Sequence, residues 1–391
     1  MKKQIFKVLS VMVGCAALVF TSCSDDDKKT TSNTNNVSEI LAQIDAADQL
    51  EYNSSNATNW QAYMKQIANL LQTDADKLYS EWSVSYNGGS TSYAEEFKNA
   101  GVSSSVFTSA RQATLQILSG CSDIANEVGE AKIGDPVNLW NSGKYEEAVY
   151  AVESWFSYHS RADYSNNIVS IRNSYLGSRD GSVGSNSLSS VIATSNAELD
   201  TRIKNAIQNA IDAILAIPQP FRSHLFSAEA TEAIVACSDL KELIDGDLTN
   251  AVNAMDESTC KNINAAYVDN VVLPTYLDLK NANAELRAAV YAFNGTSFDA
   301  VANAWVAARE PWERSEAFLF GPVDELGLDP NMDSWPLDRN SINGILASGD
   351  FSGLVWDDSD SEEEQEAAQS IRGFHTLEYL VFKQGNPRTV N

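Results

Sequence analysis

The sequence is poor in basic residues, and this shortage excludes one large class of function. Its 391 residues include 27 Lys and Arg against 53 Asp and Glu, which gives a formal net charge of −26. Nucleic-acid binding depends on Lys and Arg that neutralise phosphates, so the charge balance argues against a nucleic-acid partner. The surplus of carboxylates instead fits an acidic surface or a protein that handles cations.

Cysteine is too scarce for a disulfide framework or a structural zinc site. Beyond the N-terminal leader and Cys23, the chain has Cys121, Cys237 and Cys260, and none of them stands in a CxxC spacing. Three cysteines cannot all pair with one another. We therefore expect them to be small buried apolar residues.

Long apolar runs are also missing. The longest such stretch near the N-terminus, Val8–Phe20, has 13 residues and follows three lysines. This length is typical of a signal peptide and too short to span a bilayer. The stretch ends in TSC, which resembles a bacterial lipobox, so we predict a signal peptide over 1–22 and lipidation of Cys23. An ordinary secretory signal is the alternative.

The segment after Cys23 is polar. Residues 23–36 continue as SDDDKK and a run of Ser, Thr and Asn, and they predict a flexible tether. Acidic residues directly after the lipidated Cys resemble the surface-export signal of Bacteroidota lipoproteins. We therefore expect a lipid anchor in the cell envelope, at the outer membrane, with either a periplasmic or an outward orientation.

Helical periodicity dominates the rest of the chain. Apolar residues recur at spacings of three and four over Trp60–Leu71 and Leu199–Leu215, for example, while alternating patterns are nearly absent. Each stripe is typical of an amphipathic helix that buries one face. The sequence predicts an all-α fold built from helix bundles.

One histidine and one glutamate stand on an otherwise apolar helix near the C-terminus. In GFHTLEYLVF, His375 and Glu378 are three residues apart and share a helix face, and Gly373 permits a close approach. A buried hydrogen-bonded pair and a ligand-binding pair both fit this spacing. The sequence has no HExxH, and Tyr379 stands where HxxEH needs its second histidine. A zinc hydrolase needs three protein ligands, and this helix offers two.

Two further clusters are candidates for a site. Trp305, Arg309, Trp312 and Glu316 step by four, three and four along a predicted helix, which fits a functional face or a structural ion pair. The segment 152–167, VESWFSYHSRADYSNN, concentrates hydroxyls and carboxylates that suit ligand binding, hard-metal coordination or helix capping. P-loop, dinucleotide and nucleophile-elbow motifs are missing from the sequence.

These motifs together resemble the imelysin-like family. Its GxHxxE mark is present at Gly373, His375 and Glu378, and three further motifs precede it in order: VVLPTYLDL at 271–279, W-x3-R-x6-E at 305–316 leading to FGP, and DSWPLD at 333–338. In the usual family arrangement a second helical half follows GxHxxE. Here segments resembling that half stand upstream: EVGEAKIGDP at 127–136, VESWFSYHSRAD at 152–163, NSYLG at 173–177 and IPQPF at 217–221. The chain therefore reads as a circular permutation, with one domain at 37–255 and the GxHxxE domain at 256–391.

The resemblance implies two pseudo-symmetric four-helix-bundle-like domains with a site at their interface. The family was once classed as metallopeptidases and is associated with bacterial iron uptake. We expect iron or another divalent metal as the cofactor and iron-transport components as partners. The alternatives are an HxxE metallopeptidase and a surface glycan-binding or adhesion lipoprotein. The expected metal ligands are His375, Glu378, Glu130 and Asp163, and the expected ligand-binding residues are Arg309, Glu316, Ser157, Ser160 and Gly373.

Overall fold

The computed structural model describes residues 26–391 except Gln49 and Asp358, and it describes side chains from residue 37 onward. The predicted signal peptide and Cys23 lie outside the described residues. Helix α1 begins at Asp26, so much of the segment predicted as a flexible tether is helical. Within the described part of the chain, no helix is both long and apolar enough to cross a membrane.

Helices make up most of the described structure and strands almost none of it, so the all-α prediction is confirmed. A small hairpin of β1 Phe382–Lys383 and β2 Asn386–Pro387 is antiparallel. The α-helices are α1 Asp26–Ala47, α2 Ala57–Ser83, α3 Tyr93–Lys98, α4 Ala110–Asn126, α5 Asp135–Asn141, α6 Tyr145–Ala151, α7 Ser160–Leu176, α8 Leu188–Ser195, α9 Ala197–Ala216, α10 Ala228–Leu243, α11 Thr249–Asn253, α12 Glu257–Tyr267, α13 Leu273–Ala292, α14 Asp299–Glu313, α15 Pro322–Glu325, α16 Leu328–Asp333, α17 Arg339–Ser348, α18 Glu362–Gln369 and α19 Gly373–Val381. Three π-helical segments span Glu127–Gly134, Ile244–Leu248 and Val268–Val272, and three 3-10 turns span Phe221–Ser223, Glu316–Phe318 and Ser352–Leu354.

The first helix bundle is formed by α4, α7, α9 and α10. The apolar stripe of α9 is buried at Leu199, Ile203, Ile207 and Ile214, as its spacing predicts. The three described cysteines are free and buried in this part of the molecule, as expected. Burial of these faces removes apolar surface from water and holds the four helices together.

The second bundle is formed by α2, α13, α14 and α19. Helix α2 lies inside the predicted domain 37–255, yet its buried Trp60, Tyr63 and Ile67 belong to the bundle that carries the GxHxxE helix. Conversely, α12 follows residue 255 and packs mainly on α4. The predicted boundary at 255/256 therefore does not separate the two bundles, because complementary apolar faces rather than chain proximity decide which helices pair.

The two bundles are physically continuous. Helix α12, the π-helical segment Val268–Val272 and α13 follow one another without a loop, and they run from contacts with α4 to contacts with α2 and α14. The buried apolar residues of both bundles form one connected core. Helix α7 of the first bundle also packs against α14 of the second, and the candidate site lies beside this contact.

Candidate functional site

Gly373 starts the GxHxxE helix in a conformation that side chains disfavour. Its φ is +83°, and a Cβ built on it would lie 2.5 Å from the carbonyl oxygen of Met332. The close approach predicted at Gly373 is thus made by the backbone of Met332, which precedes Asp333. Arg372, just before α19, pairs with Asp74 of α2 and ties the start of the helix to the second bundle.

His375 is fully buried, and a carboxylate faces each of its ring nitrogens. Nδ1 lies 3.1 Å from Glu378 Oε2, and Nε2 lies 3.1 Å from Asp333 Oδ1. Burial and Arg309 lower the pKa of His375, but Asp333 and Glu378 outweigh both and raise it to about 9. The imidazole is therefore protonated at neutral pH and donates to both carboxylates.

Glu378 connects the two bundles. Its Oε1 accepts hydrogen bonds from the backbone N–H of Ser157, at 2.8 Å, and from the Ser157 hydroxyl, at 2.7 Å. The segment before α7 and the GxHxxE helix are therefore neighbours, as the resemblance predicts. Ser154 and Tyr158 in this segment have positive φ angles of 51° and 62°, a strained conformation that the surrounding contacts must maintain.

Arg309 is a buried cation on α14 shared by three carboxylates. It contacts Asp163 at 3.5 Å, Glu313 at 2.6 Å, and Asp333 at shorter range. Burial raises the pKa of Asp333, but Arg309 and His375 hold it well below its ordinary value. Arg309, an expected ligand-binding residue, is thus paired with the chain's own carboxylates, and Asp333 is ionised at neutral pH.

Glu316 does not continue the face of α14 that its spacing predicts. Helix α14 ends at Glu313, and Glu316 opens the following 3-10 turn. Its side chain is buried, with the residue 7 % exposed, and it has no hydrogen bond or ion pair with any residue the structure describes. Burial raises the pKa of Glu316 well above its ordinary value, although Lys132 acts in the opposite direction. Glu313, Glu316 and Asp333 present oxygens that all lie within 4.8 Å of one another.

A cavity of about 250 Å³ opens beside these carboxylates, and its lining is mostly charged: Glu127, Lys132, Glu153, Glu316, Asp329 and Asp333, with Trp335. The Lys132 ammonium lies 2.9 Å from Glu153 Oε2 and 3.3 Å from Glu127 Oε1. Asp329, like Glu316, has no hydrogen bond or ion pair among the described residues. Burial and the neighbouring Asp333 raise the pKa of Asp329 to about 7.

The structure brings most of the predicted residues together but not all of them. Ser157, Asp163, Arg309, Glu316, His375 and Glu378 surround the interface. Glu130 is exposed on the π-helical segment Glu127–Gly134, because the wide turn directs Glu127 and Lys132 to the cavity instead. Ser160 donates to the Glu153 carbonyl at 2.5 Å at the start of α7. This hydroxyl is therefore occupied by the backbone.

Sequence reasoning missed several residues of the site. Asp333 begins the DSWPLD motif, Glu313 stands four residues after Arg309, and Lys132 is the only basic residue in EVGEAKIGDP. Each of these three residues lies inside one of the family motifs, so the sequence carried a signal for it. Asp329 carries no comparable signal, because only the packing of α16 beside the cavity makes it a lining residue.

Comparison with known proteins agrees with the fold. The imelysin family model matches residues 29–246 and 272–391. A solved structure described as an imelysin peptidase from Bacteroides ovatus is 52 % identical and has a TM-score of 0.85, covering 88 % of this chain and 99 % of that one. Iron-regulated protein A of Synechococcus elongatus is 30 % identical over 125 residues, which are 31 % of each chain. The reversed order of the two halves stays a prediction. The chain belongs to the imelysin family.

Proposed function

We propose that this chain binds iron, or another hard metal cation, in the carboxylate cavity between its two bundles. In this proposal it serves iron uptake as a lipid-anchored protein of the cell envelope. The observation that carries the proposal is Glu316, a buried carboxyl group without a partner among the described residues, which lines the cavity beside Glu313 and Asp333. The partial likeness to an iron-regulated protein supports iron as the cation.

Oxygen ligands suit hard cations, and buried carboxylates need a compensating charge. Glu316 and Asp329 have no hydrogen bond or ion pair with the described residues, and the more distant Lys132 compensates them only in part. The nearby Asp333 is ionised by its two cationic neighbours. A metal ion in the cavity would replace the protons that burial favours on Glu316 and Asp329. This would neutralise charge that the protein alone does not neutralise.

His375 and Glu378 take a different role in this proposal from the metal-ligand role that the sequence suggests. Both nitrogens of His375 already face carboxylate oxygens, and both oxygens of Glu378 are engaged by His375 and Ser157. We assign them to the positioning of Asp333. Hydrogen-bonded partners behind a metal ligand commonly fix its orientation and tune its affinity.

The peptidase alternative has less support from this geometry. A metal hydrolase commonly holds its metal with three protein ligands and leaves one position open for water. The His375–Glu378 pair has no uncommitted nitrogen or oxygen to begin such a site in this arrangement. The carboxylate cavity contains no histidine among its described lining residues.

A metal titration of the metal-free protein tests the proposal. Glu316→Gln keeps the shape of the side chain and removes its charge, so Mn²⁺ and anaerobic Fe²⁺ should bind at least about tenfold more weakly by calorimetry. The melting temperature should stay the same or rise, because a buried unpaired carboxyl group is gone. Glu130→Gln is the matched control, since Glu130 is exposed outside the cavity, and should leave affinity unchanged.

Two results would contradict the proposal. The first is a wild-type protein that binds neither ion, and the second is an affinity that Glu316→Gln leaves unchanged. Peptide cleavage by the metal-loaded protein, lost in a His375 variant, would favour the peptidase alternative instead.

A further inference from the structure

We infer that Lys132 determines which charge class of cation the cavity accepts, favouring divalent over trivalent ions. This inference rests on the proposed cation site. It concerns a residue that is not itself a metal ligand, since an ammonium has no lone pair to donate. Lys132 acts instead as a fixed positive charge inside the space that the cation would enter.

The placement of Lys132 is unusual for a lysine. The residue is 6 % exposed, and it stands on the π-helical segment Glu127–Gly134, where it lines the cavity together with Glu316. Lysine is rarely buried unless it is paired. Here Glu127 and Glu153 hold the ammonium at 3.3 Å and 2.9 Å. The positive charge is therefore retained at the wall of the site.

The pairing of the cavity carboxylates shows which charges a bound cation would meet. Asp333 is paired with Arg309 and His375, and Glu127 and Glu153 share Lys132. Among the described residues lining the cavity, only Glu316 and Asp329 are acidic groups without a hydrogen bond or an ion pair. A bound cation would meet these two carboxylates directly, with Lys132 as the only basic side chain among the described lining residues.

Electrostatics also predicts how the preference changes when the ammonium is removed. The repulsion between Lys132 and a bound ion is proportional to the charge of the ion, so it weakens the binding of a trivalent ion more. Loss of the ammonium also releases Glu127 and Glu153 to face the ion. A neutral side chain at position 132 should strengthen the binding of both classes, and of trivalent ions most.

The experiment compares Mn²⁺ and Tb³⁺, two oxygen-seeking probes that do not change oxidation state, by calorimetry and Tb³⁺ luminescence. Lys132→Gln keeps a hydrogen-bond donor for Glu153 and removes the charge. It should raise the affinity for Tb³⁺ about tenfold more than the affinity for Mn²⁺. Lys144→Gln is the control, because that lysine is exposed and pairs with Glu147 away from the cavity. It should leave the ratio of the two affinities unchanged.

A second variant on the same segment keeps the inference testable if Lys132→Gln does not fold. Glu127→Gln removes one partner of Lys132 from a half-exposed position, so the ammonium is less neutralised. The ratio should then move in the opposite direction, with Tb³⁺ weakened more than Mn²⁺. An unchanged ratio in both variants, with both ions still bound and still sensitive to Glu316→Gln, would overturn the role of Lys132 alone. Failure of both ions to bind the wild type would overturn the cation site as well.

Discussion

His375 Nε2 lies 3.1 Å from Asp333 Oδ1, and both side chains are buried. This contact joins the GxHxxE helix α19 to the last residue of α16. Asp333 also pairs with Arg309 and accepts a hydrogen bond from the Trp312 indole at 2.6 Å. One carboxylate is thus held by three donors, which fixes its position beside Glu313 and Glu316 and places it at the edge of the cavity.

The stability of the metal-free protein should depend on the protonation of His375. Its pKa is raised from 6.5 to about 9, so folding favours the protonated ring. Protonated His375 therefore contributes on the order of 3 kcal/mol to the free energy of unfolding. This contribution is fully present below pH 6.5 and is lost as the pH rises through 9. The melting temperature of the wild type should therefore fall between pH 7 and 9.5.

His375→Gln isolates this contribution. The variant should be less stable at pH 7, because Asp333 and Glu378 lose a cationic partner in the interior. Its melting temperature should fall less between pH 7 and 9.5 than that of the wild type. Parallel curves for the two proteins would show that His375 is not the titrating group.

The Ser157–Glu378 contact should couple the two bundles energetically. A double-mutant cycle of Ser157→Ala and Glu378→Gln should give a coupling of about 1–2 kcal/mol in the free energy of unfolding, since the hydroxyl donates to a buried carboxylate. Glu364, the exposed capping-box residue of α18, supplies the control. Ser157→Ala and Glu364→Gln should be additive within about 0.5 kcal/mol.

Gly373→Ala should destabilise the fold and disturb the site. The positive φ and the carbonyl oxygen of Met332 leave no room for a methyl group, so the free energy of unfolding should fall by roughly 2 kcal/mol or more. Cation affinity should fall too, because Met332 precedes Asp333. Gly344→Ala in the middle of α17 meets no atom within 4 Å and should be neutral or stabilising by up to about 1 kcal/mol. Equal effects of the two substitutions on unfolding would contradict this account.

Cys23→Ser should release the protein from the membrane fraction. The prediction rests on the short apolar run that ends in TSC, and it concerns a residue outside the described structure. Fractionation of cells that express the wild type and the variant, followed by immunoblotting, measures the outcome. A variant that stays with the membranes would show that the lipobox prediction is wrong.

The sequence by itself determined the fold class and much of the candidate site. Apolar spacings of three and four predict helices because a helix returns to the same face every 3.6 residues, and the buried stripe of α9 confirms this reasoning. The family motifs also predicted that the segment before α7 would meet the GxHxxE helix. Ser157 and Glu378 do meet, although 221 residues separate them along the chain.

Only the tertiary structure decided which side chains share the cavity and which charges are paired. Helix α2 joins the C-terminal helices because their apolar faces are complementary, and no local pattern specifies such a partner. Glu130 and Lys132 are close in sequence, yet the π-helical turn exposes the first and buries the second. The roles of Glu316, Asp329 and Asp333 likewise depend on burial and on neighbouring charges. Those quantities exist only once distant helices exclude water from the same space.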